Sequence, residues 1–353
     1  MDEQKVELFP QPRLRPAMPT AYAAMEDALL VVEGTDEDWH ATEHLAGRDL
    51  QCVAASPDVP ERVFAGTFAA GLQRSTDGGE SWERVGPDDM PERVTAIAVS
   101  PHDPEEVWAG TEPSRVYRST DGGDTWIERP GLNDLPSADE WYFPPRPDTH
   151  HVRWIEPDPN DADRLYVGIE AGALVVSDDA GETWQERPPG SRRDNHAMAT
   201  HPDAPGRVYA AAGDGYAEST DGGASWDHPQ DGLGHRYCWS VRPDPVDPDL
   251  VMLSAASGPG SAHSTPGESY VYRRSRDGAW TPIGNGLPMG DGLPTGAGVL
   301  RPVLATAGPR TFYALHNRGL YRSPNAGASW TRLDVEWPDR FETQAPAGLT
   351  VVG

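Results

Sequence analysis

The stretch Ser75-Thr76-Asp77-Gly78-Gly79-Glu80-Ser81-Trp82 (STDGGESW) decides the reading of this chain, because its frame recurs. Ser-x-Asp-x-Gly-x-x-Trp returns at Ser119–Trp126, Ser177–Trp184 and Ser219–Trp226, and with Asn325 in place of Asp at Ser323–Trp330 (SPNAGASW). Shortened copies stand at Thr35–Trp39 (TDEDW) and Ser275–Trp280 (SRDGAW). The seven tryptophans lie 42 to 58 residues apart, the length of one four-stranded propeller blade. The octapeptide suits a hairpin turn. Its Asp accepts hydrogen bonds from the turn's own N–H groups, its Gly supplies positive φ, and its Trp anchors the strand that follows.

Around each turn the same grammar repeats. An apolar run such as Val94–Val99 leads to a Pro-rich turn (Pro101, Pro104), and a second run (Val107–Gly110) follows. A third run ends at the Ser-x-Asp turn, and the Trp begins a fourth. Ala347–Val352 reads as one more first strand with no blade after it, while the N-terminal unit lacks such a strand. The C-terminal strand is therefore expected to become the innermost strand of the first blade and close the ring.

The repeat resembles the Asp-box, or BNR, repeat, and the resemblance runs over nearly all of the chain. Families that carry it include sialidases, sortilin-type receptor domains, xyloglucan-active glycosidases and photosystem II assembly factors. The chain looks most like seven-bladed, assembly-factor-like propellers without an assigned activity. That implies an all-β fold: a single seven-bladed propeller of four-stranded antiparallel blades over residues 1–353, with residues 1–18 as an N-terminal extension.

The 353 residues carry 29 basic and 56 acidic side chains, a net charge of −27, and only Lys5 is lysine. That field disfavours nucleic acid and anionic membrane as partners. An Asp/Glu-rich, nearly Lys-free surface resembles proteins of salt-loving microbes, where carboxylates keep the surface hydrated. No run of 18 apolar residues offers a membrane span, and the acidic start at Met1–Lys5 is not a secretory signal, so a cytoplasmic location is expected. Cys52 and Cys238 sit in separate apolar runs and read as buried free thiols.

Surplus residues gather in three links, Gly131–His151 (with Trp141, Tyr142 and His150), Ser257–Glu268 (with His263) and Gly284–Gly298, all expected on one face. Insertions on one face of a rigid ring build binding surfaces. The first strands also begin with polar residues. One aligned position reads Asp49, Arg93, His151, Asp194, Tyr237, and two residues on it reads Gln51, Thr95, Arg153, His196, Trp239. Arginines 48, 93, 153, 193, 236 and 301 recur at these starts. The ends of the second strands read Glu26, Phe68, Glu112, Glu170, Gly213, Ala256, Asn317.

These groups are expected at the mouth of the central channel. A non-catalytic scaffold would bind a small anionic or polar ligand, or a protein partner, through Arg93, Glu112, His151, Arg153, Glu170, His196, Arg236, Tyr237, Trp239 and His316. The bland alternative is that such pairs as Arg93–Glu112 and Arg153–Glu170 only satisfy each other in a wet channel.

A glycoside hydrolase would instead use paired carboxylates, Glu112 and Glu170, with Asp49 and Asp194 as alternates. No Arg-Ile-Pro segment of the sialidase type is present, and xyloglucan-active relatives use two propellers in tandem. No cofactor is expected. The weaker third reading is a divalent transition metal held by His151, His196, His235, His263 and His316 with Glu112 or Glu170, though no tight His spacing supports it.

Overall fold

The computed structural model describes residues 19–35, 38–276 and 278–353. The expected extension, residues 1–18, lies outside the described residues, as do residues 36, 37 and 277 of the two shortened repeats. Among the described residues no helix is long and apolar enough to cross a membrane.

Seven antiparallel sheets follow one another along the chain. Blade 2 is typical: Leu50–Ser56, Val59–Thr67, Leu72–Ser75 and Glu83–Val85 run from the channel outward in sequence order. Blades 3, 6 and 7 repeat it from Val94, Tyr237 and Val303. In blades 4 and 5 the fourth strand shrinks to single bridges, Val176 to Gln185 and Glu218 to Asp227. Proline, which cannot donate to a ladder, follows closely at Pro188 and Pro229. Blade 1 closes the ring as expected. Gly348–Val352 pairs with Thr20–Ala24 as the innermost strand, from Ala24 opposite Gly348 to Thr20 opposite Val352.

Each of the five full-length Asp-box turns is locked twice. Ser75 Oγ donates to Asp77 Oδ1 (2.7 Å) and accepts from the Gly79 N–H (2.8 Å), and Asp77 accepts from the Ser81 N–H and hydroxyl. The box then ties to the turn joining strands one and two of its own blade: the Gly78 N–H donates to Glu61 O, Gly122 to Glu105, Ala180 to Asp163 and Gly222 to Gly206. These turns therefore occupy one face. Of the long links, Gly131–His151 and Ser257–Glu268 bring Phe143, Arg146 and His263 to the channel mouth at the other end, whereas Gly284–Gly298, expected there too, bonds to the blade 7 box: the Gly290 N–H donates to Ala328 O and the Trp330 N–H to Asp291 O. At Gly79 (φ 98°) a Cβ would stand 2.8 Å from Val31 of the preceding blade, so the turn packs tightly against its neighbour.

Packing lies between blades. Phe64 and Leu72 of blade 2 share one cluster with Val94, Val107 and Tyr117 of blade 3, and Tyr166 and Leu174 of blade 4 join Met198 and Val208 of blade 5. Fully buried second-strand aromatics, Phe64, Trp108, Tyr166, Tyr209 and Phe312, fill these layers. Each contributes about 1.5–3 kcal/mol by leaving water. Cys52 and Cys238 are free thiols, and burial pushes both up to about 12.

Candidate functional site

One backbone device, repeated, builds the channel mouth. In five consecutive blades the inner strand carries a β-bulge at the same place: Leu50/Cys52, Val94/Ala96, Val152/Trp154, Asn195/Ala197 and Cys238/Ser240. The residues left unpaired are Gln51, Thr95, Arg153, His196 and Trp239. A bulge takes its extra side chain out of the regular in–out alternation, and here it re-aims five of them. The aligned positions beside them are held by recurring backbone bonds. The Phe68 N–H donates to Asp49 O, Glu112 to Arg93, Glu170 to His151 and Gly213 to Asp194. A cavity of about 370 Å³ opens at this end, and a second of about 510 Å³ continues down the channel. Arg153 and Trp239 border both.

Three groups share the mouth. In the first, the fully buried Glu112 side chain is clamped by Arg146, whose Nε and Nη2 donate at 2.8 and 2.6 Å, and by Arg93. Both guanidinium groups lie over the Phe68 ring, and Arg146 also over Phe143. Burial alone would raise this carboxyl, but the charges of Arg146, His151 and Arg93 hold it below its ordinary range.

In the second, the His151 imidazole stands between two glutamates. Its Nε2 donates to Glu170 Oε2 at 3.0 Å, and its Nδ1 is 3.6 Å from Glu112 Oε2. Burial works against the Glu170 charge, yet His151, His196 and Arg153 drive its carboxyl far below the usual range.

The third group is cationic. Arg301 lies 4.0 Å over the Trp239 indole and Arg153 lies 4.8 Å from the same ring. Arg301 donates to Pro346 O at 3.2 Å and meets His263 Nδ1. Among the described residues no carboxylate pairs with it. Burial and the nearby Arg153 lower its pKa to about 10.

Eight sequence-nominated residues meet in this chain of contacts: Arg93, Glu112, His151, Arg153, Glu170, His196, Tyr237 and Trp239. Arg236 does not; it is exposed on the loop beside His228 and Gln230. His316 does not either. It is buried against Tyr321, with burial lowering its pKa to about 3, and its Nδ1 accepts from the Arg318 N–H. His235 stacks on Tyr270 outside the mouth, so the five histidines do not form one site. In the Gly131–His151 link, Trp141 is buried in the core, His150 packs edge-on against it, and Tyr142 carries Arg193 over its ring. Phe143 and Arg146 reach the mouth instead, and the sequence reading missed both. The only signal was a guanidinium among aromatic residues in an overlong link.

The BNR/Asp-box repeat family matches residues 73–84, the second of the seven turns. The chain is a seven-bladed propeller that carries this repeat. No curated protein matches its sequence significantly.

Among solved structures the propeller is similar to an ancestral GH74 enzyme (19% identity, TM-score 0.60), over 80% of this chain and 38% of that one. A GH74 xyloglucanase from Xanthomonas campestris aligns at 20% identity and TM-score 0.57, over 80% of this chain and 45% of the enzyme. The Asp-box propeller thus spans less than half the length of these GH74 enzymes. YCF48 bound to D1 peptide aligns at 17% identity and TM-score 0.57, over 92% of this chain and 88% of that one. YCF48 from Cyanidioschyzon merolae gives 15%, 0.56, 90% and 89%. At these identities the likeness is one of fold.

Proposed function

We propose that this propeller is a non-catalytic binding scaffold whose channel mouth takes an anionic ligand, either a small organic anion or an acidic segment of a protein partner. The carrying observation is Arg301. Arg93 and Arg146 are spent on Glu112, and Arg153 faces Glu170 at 3.6 Å, but Arg301 faces the cavity on an indole platform with no carboxylate of its own. With Nε on Pro346 and Nη1 on His263, Nη2 is the donor left for an oxyanion. A peptide on a structurally similar protein, YCF48, supports the scaffold reading at the level of fold. Two of the surplus links, Gly131–His151 and Ser257–Glu268, reach the same mouth through Arg146 and His263.

A panel of carboxylates, phosphates and acidic peptides, tested by thermal shift and calorimetry in molar KCl, tests this reading. One class should bind, Arg301→Ala should lose it, and Arg236→Ala should keep it. Binding undisturbed by Arg301→Ala overturns the assignment.

Glycoside hydrolysis is the second reading, and the GH74 neighbours favour it. It requires a carboxylic acid that keeps its proton. Glu112 and Glu170 are both held ionised. Asp194 and Asp49, both raised by burial, are the members that fit, and Asp194 is the one within reach of Glu170 and His196. Cleavage of a chromogenic glycoside, lost in Asp194→Asn, would replace the scaffold reading.

A further inference from the structure

We propose that Glu170, Asp194 and His196 form a binding site for one divalent transition metal of the zinc class. One ligand atom from each of the three residues lies within 4.8 Å of the others. His196 is buried, and its Nδ1 lies 2.7 Å from the backbone carbonyl of Cys238. That contact fixes the proton on Nδ1 and leaves the Nε2 lone pair pointing the other way. Histidines that bind metals are commonly oriented by such an outer hydrogen bond.

Nε2 is buried and has no hydrogen-bond partner. What it faces are two carboxylate oxygens, Asp194 Oδ1 at 3.7 Å and Glu170 Oε1 at 4.0 Å. Three atoms able to ligate a metal converge with no hydrogen bond among them, an arrangement a cation relieves. Two ligands about 2.1 Å from a tetrahedral ion stand about 3.4 Å apart, so the two His196 distances must shorten by about 0.3 and 0.6 Å and the carboxylate pair by up to about 1.4 Å to occupy three corners, the fourth being left for water. Glu170 is divided suitably, with Oε2 held by His151 and Oε1 left toward His196.

Gly213 makes room for this set. Its backbone does not need glycine, since its φ is not in the left-handed region. A Cβ there would stand 2.0 Å from Asp194 Oδ2 and 3.2 Å from His196 Cε1. The second-strand end that carries glutamate in blades 3 and 4 is thus hollowed in blade 5, where the Asp194 carboxylate fits. One imidazole and two carboxylates suit zinc, cobalt(II) or manganese(II) better than calcium or magnesium, which favour all-oxygen shells. The metal site rests on these three residues and stands apart from the anion site at Arg301.

The full chain, stripped with EDTA and returned to molar KCl to screen its surface carboxylates, should bind one Zn²⁺ per chain by calorimetry. Co²⁺ should give visible absorption bands of a low-symmetry site that Zn²⁺ bleaches. Asp194→Asn and Gly213→Ala should each weaken Zn²⁺ at least tenfold while leaving the melting curve of the metal-free protein cooperative. His235→Ala, outside the mouth, should bind normally. Absence of stoichiometric Zn²⁺ binding to the folded chain overturns the proposal, as does binding unaffected by both Asp194→Asn and Gly213→Ala.

Discussion

Arg301 lies 4.0 Å above the indole of Trp239 and within reach of the Pro346 carbonyl, in a mouth where the neighbouring arginines face carboxylates. Keeping a cation there without a counter-ion costs stability, and the cost has a use if an anion arrives. Arg301→Met retains the packing on Trp239 and removes the charge. It should leave urea stability equal or higher while lowering anion affinity at least tenfold. Paired urea melts and calorimetry check this; a variant that binds as before contradicts it.

The buried Glu112 carboxylate pairs with two guanidinium groups at once. Glu112→Ala leaves both without their carboxylate, but each arginine side chain is about a third exposed and water screens part of the loss, so the protein should be destabilised by about 1–3 kcal/mol. Denaturant unfolding measures it. Arg146→Ala, which leaves Arg93 in place, should cost less.

Acid should unfasten the turns. Hydrogen bonds from Ser81, Thr125 and Ser225 hold Asp77, Asp121 and Asp221 down at about 2. A depressed carboxylate binds fewer protons folded than unfolded, so its stabilisation is complete above about pH 4 and is lost as pH falls toward 2. Blade 7 supplies the internal control. Asn325 makes the same turn, accepting from the Ser329 N–H at 2.9 Å, with no ionisable group. Asp77→Asn should therefore fold and show a shallower loss of stability between pH 4 and pH 2 in urea melts.

Deleting residues 348–353 removes the innermost strand of blade 1, with buried Leu349 and Val352 and the whole ladder to Thr20–Ala24. Several kcal/mol leave with it, and the melting temperature should fall by about 10 °C or more. Scanning calorimetry decides the matter, and an unchanged melt would mean the clasp does not hold the ring.

The fold was legible because its signals are local. The Ser and Asp or Asn bonds of a full box lie within eight consecutive residues, so the sequence displays them whole in five of its seven copies. The mouth was half legible. Aligning first strands exposed Gln51, Thr95, Arg153, His196 and Trp239, although the bulge that aims them is visible only in the pairing.

The errors have a period of two. Arg48, Arg193 and Arg236 each precede the aligned mouth position by one residue, and all three are exposed. Successive side chains near a strand take opposite sides, so a one-residue offset reverses direction. His316 likewise precedes Asn317 and turns into the core. Arg146 was hidden for another reason: a long irregular link has no periodicity to say where it returns.

The strand that shuts the circle also finishes the well. Pro346 receives Arg301, the Ala345 N–H reaches Glu26 Oε1, and Ala347 forms part of the wall. A chain still emerging from the ribosome, or clipped before these residues, presents the arginine without its seat. Ring closure and the seating of Arg301 thus depend on the same short stretch of chain.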